Sequence, residues 1–63
     1  MNKRLEMNLK IWGISFEELN EMSYEEIKKL PTMNKSLLFA IMNEITNIET
    51  IRNYMKDNRR SLI

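Results

Sequence analysis

The chain contains no cysteine and no histidine, and only one glycine and one proline. Without Cys there is neither a disulfide framework nor a thiolate metal site. Without His, the commonest general base, the commonest metal ligand and the usual pH switch are all missing. A single Gly leaves no glycine-rich loop to cradle a phosphate. No apolar run approaches the ~18–20 residues that span a bilayer. The two positive charges near the N-terminus are not followed by the apolar segment of a signal peptide, so a cytoplasmic location is expected. No stretch alternates apolar and polar residues between turn signals, so no strand is expected. An excess of one charge sign is also absent. Ten basic against nine acidic side chains leave +1, unlike the strongly basic balance of a dedicated nucleic-acid binder.

What is present is a 63-residue chain that reads as a single small helical domain over residues 1–63. Its stability has to come from helix packing or oligomerisation. Charge is distributed unevenly along it. Residues 1–14 carry Lys3, Arg4 and Lys10 against Glu6, while residues 15–30 carry five Glu against Lys28 and Lys29. Residues 31–63 are mildly basic again. Asn and Ile occur eight times each, a composition that suits an AT-rich genome such as that of a low-GC bacterium or its phages.

Four helices are expected. In the first, about Asn2 to Trp12, Leu5, Leu9 and Trp12 share a face, with Met7, Ile11 and Ile14 on a neighbouring line. Gly13 follows as the left-handed stop. Then one octet is written twice, "SFEELNEM" and "SYEEIKKL". Ser15 with Glu18, and Ser23 with Glu26, each make the S-x-x-E pattern of a capping box. The Glu pairs fall in first turns, where the helix dipole favours negative charge. Each octet therefore reads as a short capped helix, and Pro31 closes the second. A long C-terminal helix is expected from Thr32 or Asn34 to about Asp57. Leu38, Ile41, Ile45, Ile48 and Met55 keep 3-4 spacing along it, widened by Leu37, Met42 and Ile51 and interrupted by Arg52. Residues 58–63 are expected to fray. The resulting class is all-α, a small bundle burying Phe16, Leu19, Ile27 and Leu30 against Ile41, Ile45 and Ile48.

Little in this pattern carries chemistry. Glu17, Glu18, Glu25 and Glu26 form the one carboxylate cluster, at exposed first-turn positions suited to capping rather than acid–base work. Ser15, Ser23, Ser36 and Ser61 have no His to activate them. No enzyme activity and no cofactor are expected. Attention falls on the long helix, whose face opposite the apolar arc is neutral and polar rather than rich in Lys and Glu. Asn43, Thr46, Asn47, Thr50 and Asn53 make up that face, with Phe39 and Tyr54 on or beside it, and Phe39, Asn43, Thr46, Asn47, Thr50 and Tyr54 are the expected partner contacts. An Asn-rich codon bias explains the same residues equally well.

The expected function is that of a small protein-binding regulator, an inhibitor or adaptor of the kind encoded by a phage or mobile element. It would act by occupying a partner protein's surface. The broad apolar arc further leads to an expected homodimer through the long helix. Two alternatives stay open. Basic termini, with Lys56, Arg59 and Arg60 as contacts, suit a nucleic-acid-binding regulator. An oligomeric structural or assembly-chaperone subunit is the other.

Overall fold

Helix starts and stops follow the punctuation of the sequence for the first half of the chain. The computed structural model describes residues 2–61, and of residues 60 and 61 only the backbone. Within them the fold is all-α, with five helices: α1 (Lys3–Trp12), α2 (Phe16–Glu21), α3 (Tyr24–Lys28), α4 (Lys35–Glu44) and α5 (Ile48–Ser61). The N-terminal helix, the two short capped helices and a long C-terminal helix are all present.

Asn2 caps α1 by accepting from the backbone N–H of Arg4 at 2.8 Å. Gly13 ends it at φ 69°, donating to the carbonyls of Leu9 and Lys10. That left-handed turn is nearly free for Gly and costs any other residue conformational energy. The two octets are capped as expected, with one difference. Ser23 and Glu26 form the reciprocal box: Glu26 N–H donates to Ser23 Oγ at 3.2 Å and Ser23 N–H donates to Glu26 Oε1 at 3.1 Å. Ser15 accepts from Glu18 N–H at 3.1 Å, but the Glu18 carboxylate takes the Ser15 hydroxyl rather than its backbone.

The long helix is where the expectation needs correcting. Residues 34–57 form two helices, not one. Asn34 caps α4 through Leu37 N–H, and Ile45 then turns extended at ψ 159°. Asn47 restarts the helix, its side chain accepting from Thr50 N–H at 3.3 Å. The backbone N–H groups released at the break are taken by a single residue of α2. Asn20 Oδ1 accepts from Thr46 N–H at 2.8 Å and from Asn47 N–H at 3.3 Å. Asn20 Nδ2 donates to Thr46 Oγ1, and Asn47 Nδ2 donates to the Asn20 carbonyl. Ile45 and Thr46 are β-branched and give up little helical preference when the chain opens there. At the far end α5 continues through Ser61, past the point where fraying was expected. Leu62 and Ile63 lie outside the described residues.

The core is one cluster: Leu5, Leu19, Tyr24, Ile27, Leu37, Ile41, Met42 and Ile45. Fully burying a residue such as Leu19 or Ile27 contributes about 1.5–3 kcal/mol relative to leaving it exposed. Around the cluster pack half-buried side chains including Phe16, Leu30 and Ile51. Helix α1 lies on α4, and α3 on α5. Hydrogen bonds tie α1 to the segment before and into α4. Arg4 Nη1 donates to Ser36 Oγ, Thr32 Oγ1 to the buried Asn8 Oδ1, and Trp12 Nε1 to the Pro31 carbonyl. Asn8 Nδ2 in turn donates to the Arg4 carbonyl at 2.8 Å, so both ends of this buried amide are used. Thr32 sits at φ 62°, a left-handed conformation that is costly for a β-branched residue. Its hydroxyl contact with Asn8 offsets part of that cost.

Candidate functional site

The break at Ile45–Asn47 disperses the neutral face read from the sequence. Phe39 (59% exposed) and Asn43 remain exposed on α4. Thr46 and Asn47 lie in the break, their polar atoms engaged by Asn20. Thr50 is 2% exposed, and its hydroxyl donates to the Met22 carbonyl at 2.9 Å. Tyr54 is half-buried, its ring set edge-on to Tyr24 at 6.0 Å and 77°. Phe39, Asn43, Thr46, Asn47, Thr50 and Tyr54 therefore do not form one exposed surface, because Thr50 is buried between the exposed Thr46 and the half-buried Tyr54. Thr46, Asn47 and Thr50 hold α2 to the start of α5, and Tyr54 helps hold α3 to it. The physical reason is the lost helical phase at Ile45, which turns Thr50 inward and half-buries Asn47 and Tyr54, while Thr46 and Asn53 stay exposed.

The same change of phase turns apolar residues outward. Ile48, placed in the core by the sequence pattern, is 65% exposed, and Met55 is 52% exposed. Ile48, Arg52, Met55 and Arg59 stand at i, i+4, i+7 and i+11, one row along the outer side of α5. Lys56 and the half-buried Ile51 flank it. Arg52, Met55, Lys56 and Arg59 together line a shallow depression. All charges in this row are positive. Glu49, on the same side of α5 as Lys56, borders a second depression with Glu21, Glu26, Asn47 and Asn53. Of the expected basic contacts, Lys56 and Arg59 are thus placed together on the outer row. The side chain of Arg60 lies outside the described residues.

Helix α1 repeats the chemistry in a smaller form. Met7 and Ile11 are exposed, one turn apart, with Lys3 and Lys10 beside them. The acidic helices α2 and α3, by contrast, expose no large apolar side chain.

A polar cluster fixes α5 to α3. Tyr24 Oη donates to Asp57 Oδ2 at 2.6 Å. Lys28 Nζ lies 3.8 Å from Asp57 and 3.6 Å from Glu25, and 4.6 Å from the centre of the Tyr24 ring. Burial, and after it the neighbouring Asp57 carboxylate, raises the pKa of the Tyr24 hydroxyl well above the ordinary phenol value. These groups are engaged with one another, and the cluster is an anchor rather than a reactive centre. Among the described residues, no group of three or more carboxylates is placed to hold a metal ion, and no helix is long and apolar enough to cross a membrane.

The signal for the outer row was in the sequence. Asn47 followed by Ile48 and Glu49 is a helix-start pattern within what reads as one helix. Comparison with known proteins returns no matching family model, no similar curated protein and no similar solved structure.

Proposed function

We propose that this chain is a small, non-enzymatic protein-binding regulator that works by covering a partner protein's surface, with the outer row of α5 as its contact face. The observation that carries this reading is the exposure of Ile48 and Met55 on one row of a well-anchored helix. Exposed apolar side chains are ordinary when scattered, and informative when aligned. Four side chains of that row, Ile48, Arg52, Met55 and Arg59, suit an interface in composition, since Met and Arg are enriched at contacts. A cytoplasmic setting goes with this reading.

The expected homodimer through the long helix is the less favoured occupant. Pairing α5 with α5 of a second copy would bring Arg52, Lys56 and Arg59 of both chains together, and like charges across an interface are costly. Nucleic-acid binding through Lys56 and Arg59 is the second reading, supported by their shared placement. It leaves the exposure of Ile48 and Met55 without a role.

The test is affinity capture from the cells that naturally express the chain, comparing the wild type with Ile48→Gln/Met55→Gln. Gln keeps length and helix preference but removes the apolar surface. A protein held by the wild type and lost by the variant, at equal melting temperature, is the expected result. Equal capture by both forms, or nucleic acid alone retained by both, contradicts the proposal.

A further inference from the structure

We infer that the partner surface taken by α5 is an acidic amphipathic helix, laid lengthwise along the row Ile48, Arg52, Met55 and Arg59. The inference rests on the protein-binding reading above and adds the chemistry of the partner.

Three features of the row select this occupant. Its cations are Arg52 and Arg59, with Lys56 on one flank, against a single carboxylate, Glu49, one turn before Arg52 on that same flank. Charge complementarity therefore calls for Asp or Glu opposite. Its apolar members, Ile48 and Met55, are seven residues apart on one helix, with half-buried Ile51 between them. That is the spacing at which a second helix offers matching apolar anchors. The row from Ile48 to Arg59 is about 18 Å long at 1.5 Å per residue, the length of a partner helix of about three turns.

A second copy of this chain meets only half of these requirements. Its acidic surface is α2 and α3, where Glu17, Glu18, Glu21, Glu25 and Glu26 are all exposed. No large apolar side chain is exposed there to meet Ile48 and Met55. An anionic lipid surface would meet the cations. However, Arg52 and Arg59 alternate with the apolar residues along the row instead of flanking a broad apolar face, as interfacial helices require. The corresponding row of α1 is shorter, and its Arg4 is already bonded to Ser36. That makes α5 the better site.

The probe is a pair of stapled helical peptides of about three turns, each with one row of Leu, flanked by Glu in one and by Lys in the other. The isotope-labelled full chain is titrated with each and followed by amide chemical shifts. The Glu peptide is expected to bind at least tenfold more tightly, with shifts concentrated between Ile48 and Arg59. Arg52→Glu/Arg59→Glu is expected to lower that affinity at least tenfold, and Arg52→Lys/Arg59→Lys to retain most of it. Both pairs lie at exposed positions, and a thermal melt shows whether each variant keeps the fold.

Equal affinity for the two peptides, or shifts centred on Phe39 or on α1, would overturn the inference. So would tighter binding to phosphatidylserine vesicles than to the Glu peptide. Sedimentation showing self-association abolished by Arg52→Glu would assign the row to a second copy and overturn it too. Failure of the peptide test alongside a captured protein that Ile48→Gln/Met55→Gln loses would remove only the acidic-helix inference. Failure of both would remove the protein-binding reading as well.

Discussion

Helices α4 and α5 come from one apolar pattern in the sequence and finish on opposite sides of the protein's economy of burial. Along α4, Leu37, Ile41 and Met42 are buried, and the helix belongs to the core. Along α5, Ile48 and Met55 continue the same spacing and point to solvent. The residues between them make the difference. Ile45 leaves helical geometry, Asn47 restarts it, and Asn20 satisfies the backbone in between. The comparison teaches that apolar periodicity locates a face but not its destination. Three residues of altered backbone separate a core helix from one with an outward apolar row.

The largest effect is expected from the buried half. Ile41→Ala should cost about 2–5 kcal/mol. A core of this size contributes only about 3–5 kcal/mol of net stability. Circular dichroism is therefore expected to show the variant largely unfolded at room temperature. A melting temperature unchanged from the wild type would mean that α4 is not the core helix described.

Next in size is the junction. Asn20→Ala removes the two bonds to the Thr46 and Asn47 N–H groups, each about 0.5–1.5 kcal/mol net, and should cost about 1–3 kcal/mol together. In a domain of this length, 1 kcal/mol corresponds to roughly 4–8 °C in melting temperature. Faster amide exchange at Thr46 and Asn47 should accompany the shift. Asn43→Ala, at an exposed position on α4, is expected to stay within about 0.5 kcal/mol and serves as the control. Equal effects of the two changes would contradict the role given to Asn20.

The attachment of α5 to α3 is expected to show in a pH profile. The raised pKa of Tyr24 means that the folded state favours the neutral phenol. Its contribution is fully present below the unfolded phenol value of about 10 and is lost as pH rises through the higher folded value. Tyr24→Phe removes the bond to Asp57 and should cost about 0.5–1.5 kcal/mol at neutral pH, since Asp57 is partly solvated. The gap between the two melting temperatures should shrink above about pH 10. A gap constant with pH would show that the hydroxyl is not what holds the helices together.

The smallest effect on stability is expected from the outer row. Ile48→Gln and Met55→Gln should each change it by less than about 0.5 kcal/mol, because neither side chain is in the core. A larger loss in thermal unfolding would place them in the packing after all and erase the contrast between the two helices.

Much of the fold was legible in the sequence because its signals are local. Gly13, Ser15, Ser23 and Pro31 act on their immediate neighbours, and α1, α2 and α3 follow from them. Leu19, Ile27 and Ile41 were legible as core because each lies on a helical row that no polar residue interrupts nearby. The break at Ile45–Asn47 was not legible in the same way. It contains neither Gly nor Pro, and the residue that satisfies it, Asn20, lies 26 positions from Thr46. Asn47 marks the restart locally, but a partner supplied from so far away leaves no signature for the opening at Ile45 and Thr46. The site inherited this gap. Thr46, Asn47 and Thr50 read as one free surface while the helix is continuous; once it is broken, Thr50 is buried and Thr46 and Asn47 are tied to Asn20. The abundance of Asn also takes on a physical meaning. Asn2, Asn34 and Asn47 cap helices, Asn8 is a buried bridge, and Asn20 spans the junction.

Hydrogen exchange on the chain in complex with its captured partner tests most directly which of the two helices meets it. Docking along the outer row predicts added protection at the amides of α5 between Ile51 and Arg59, with α4 and the acidic helices unchanged. Protection centred on Phe39 and Asn43 of α4, with α5 exchanging as in the free chain, would contradict it.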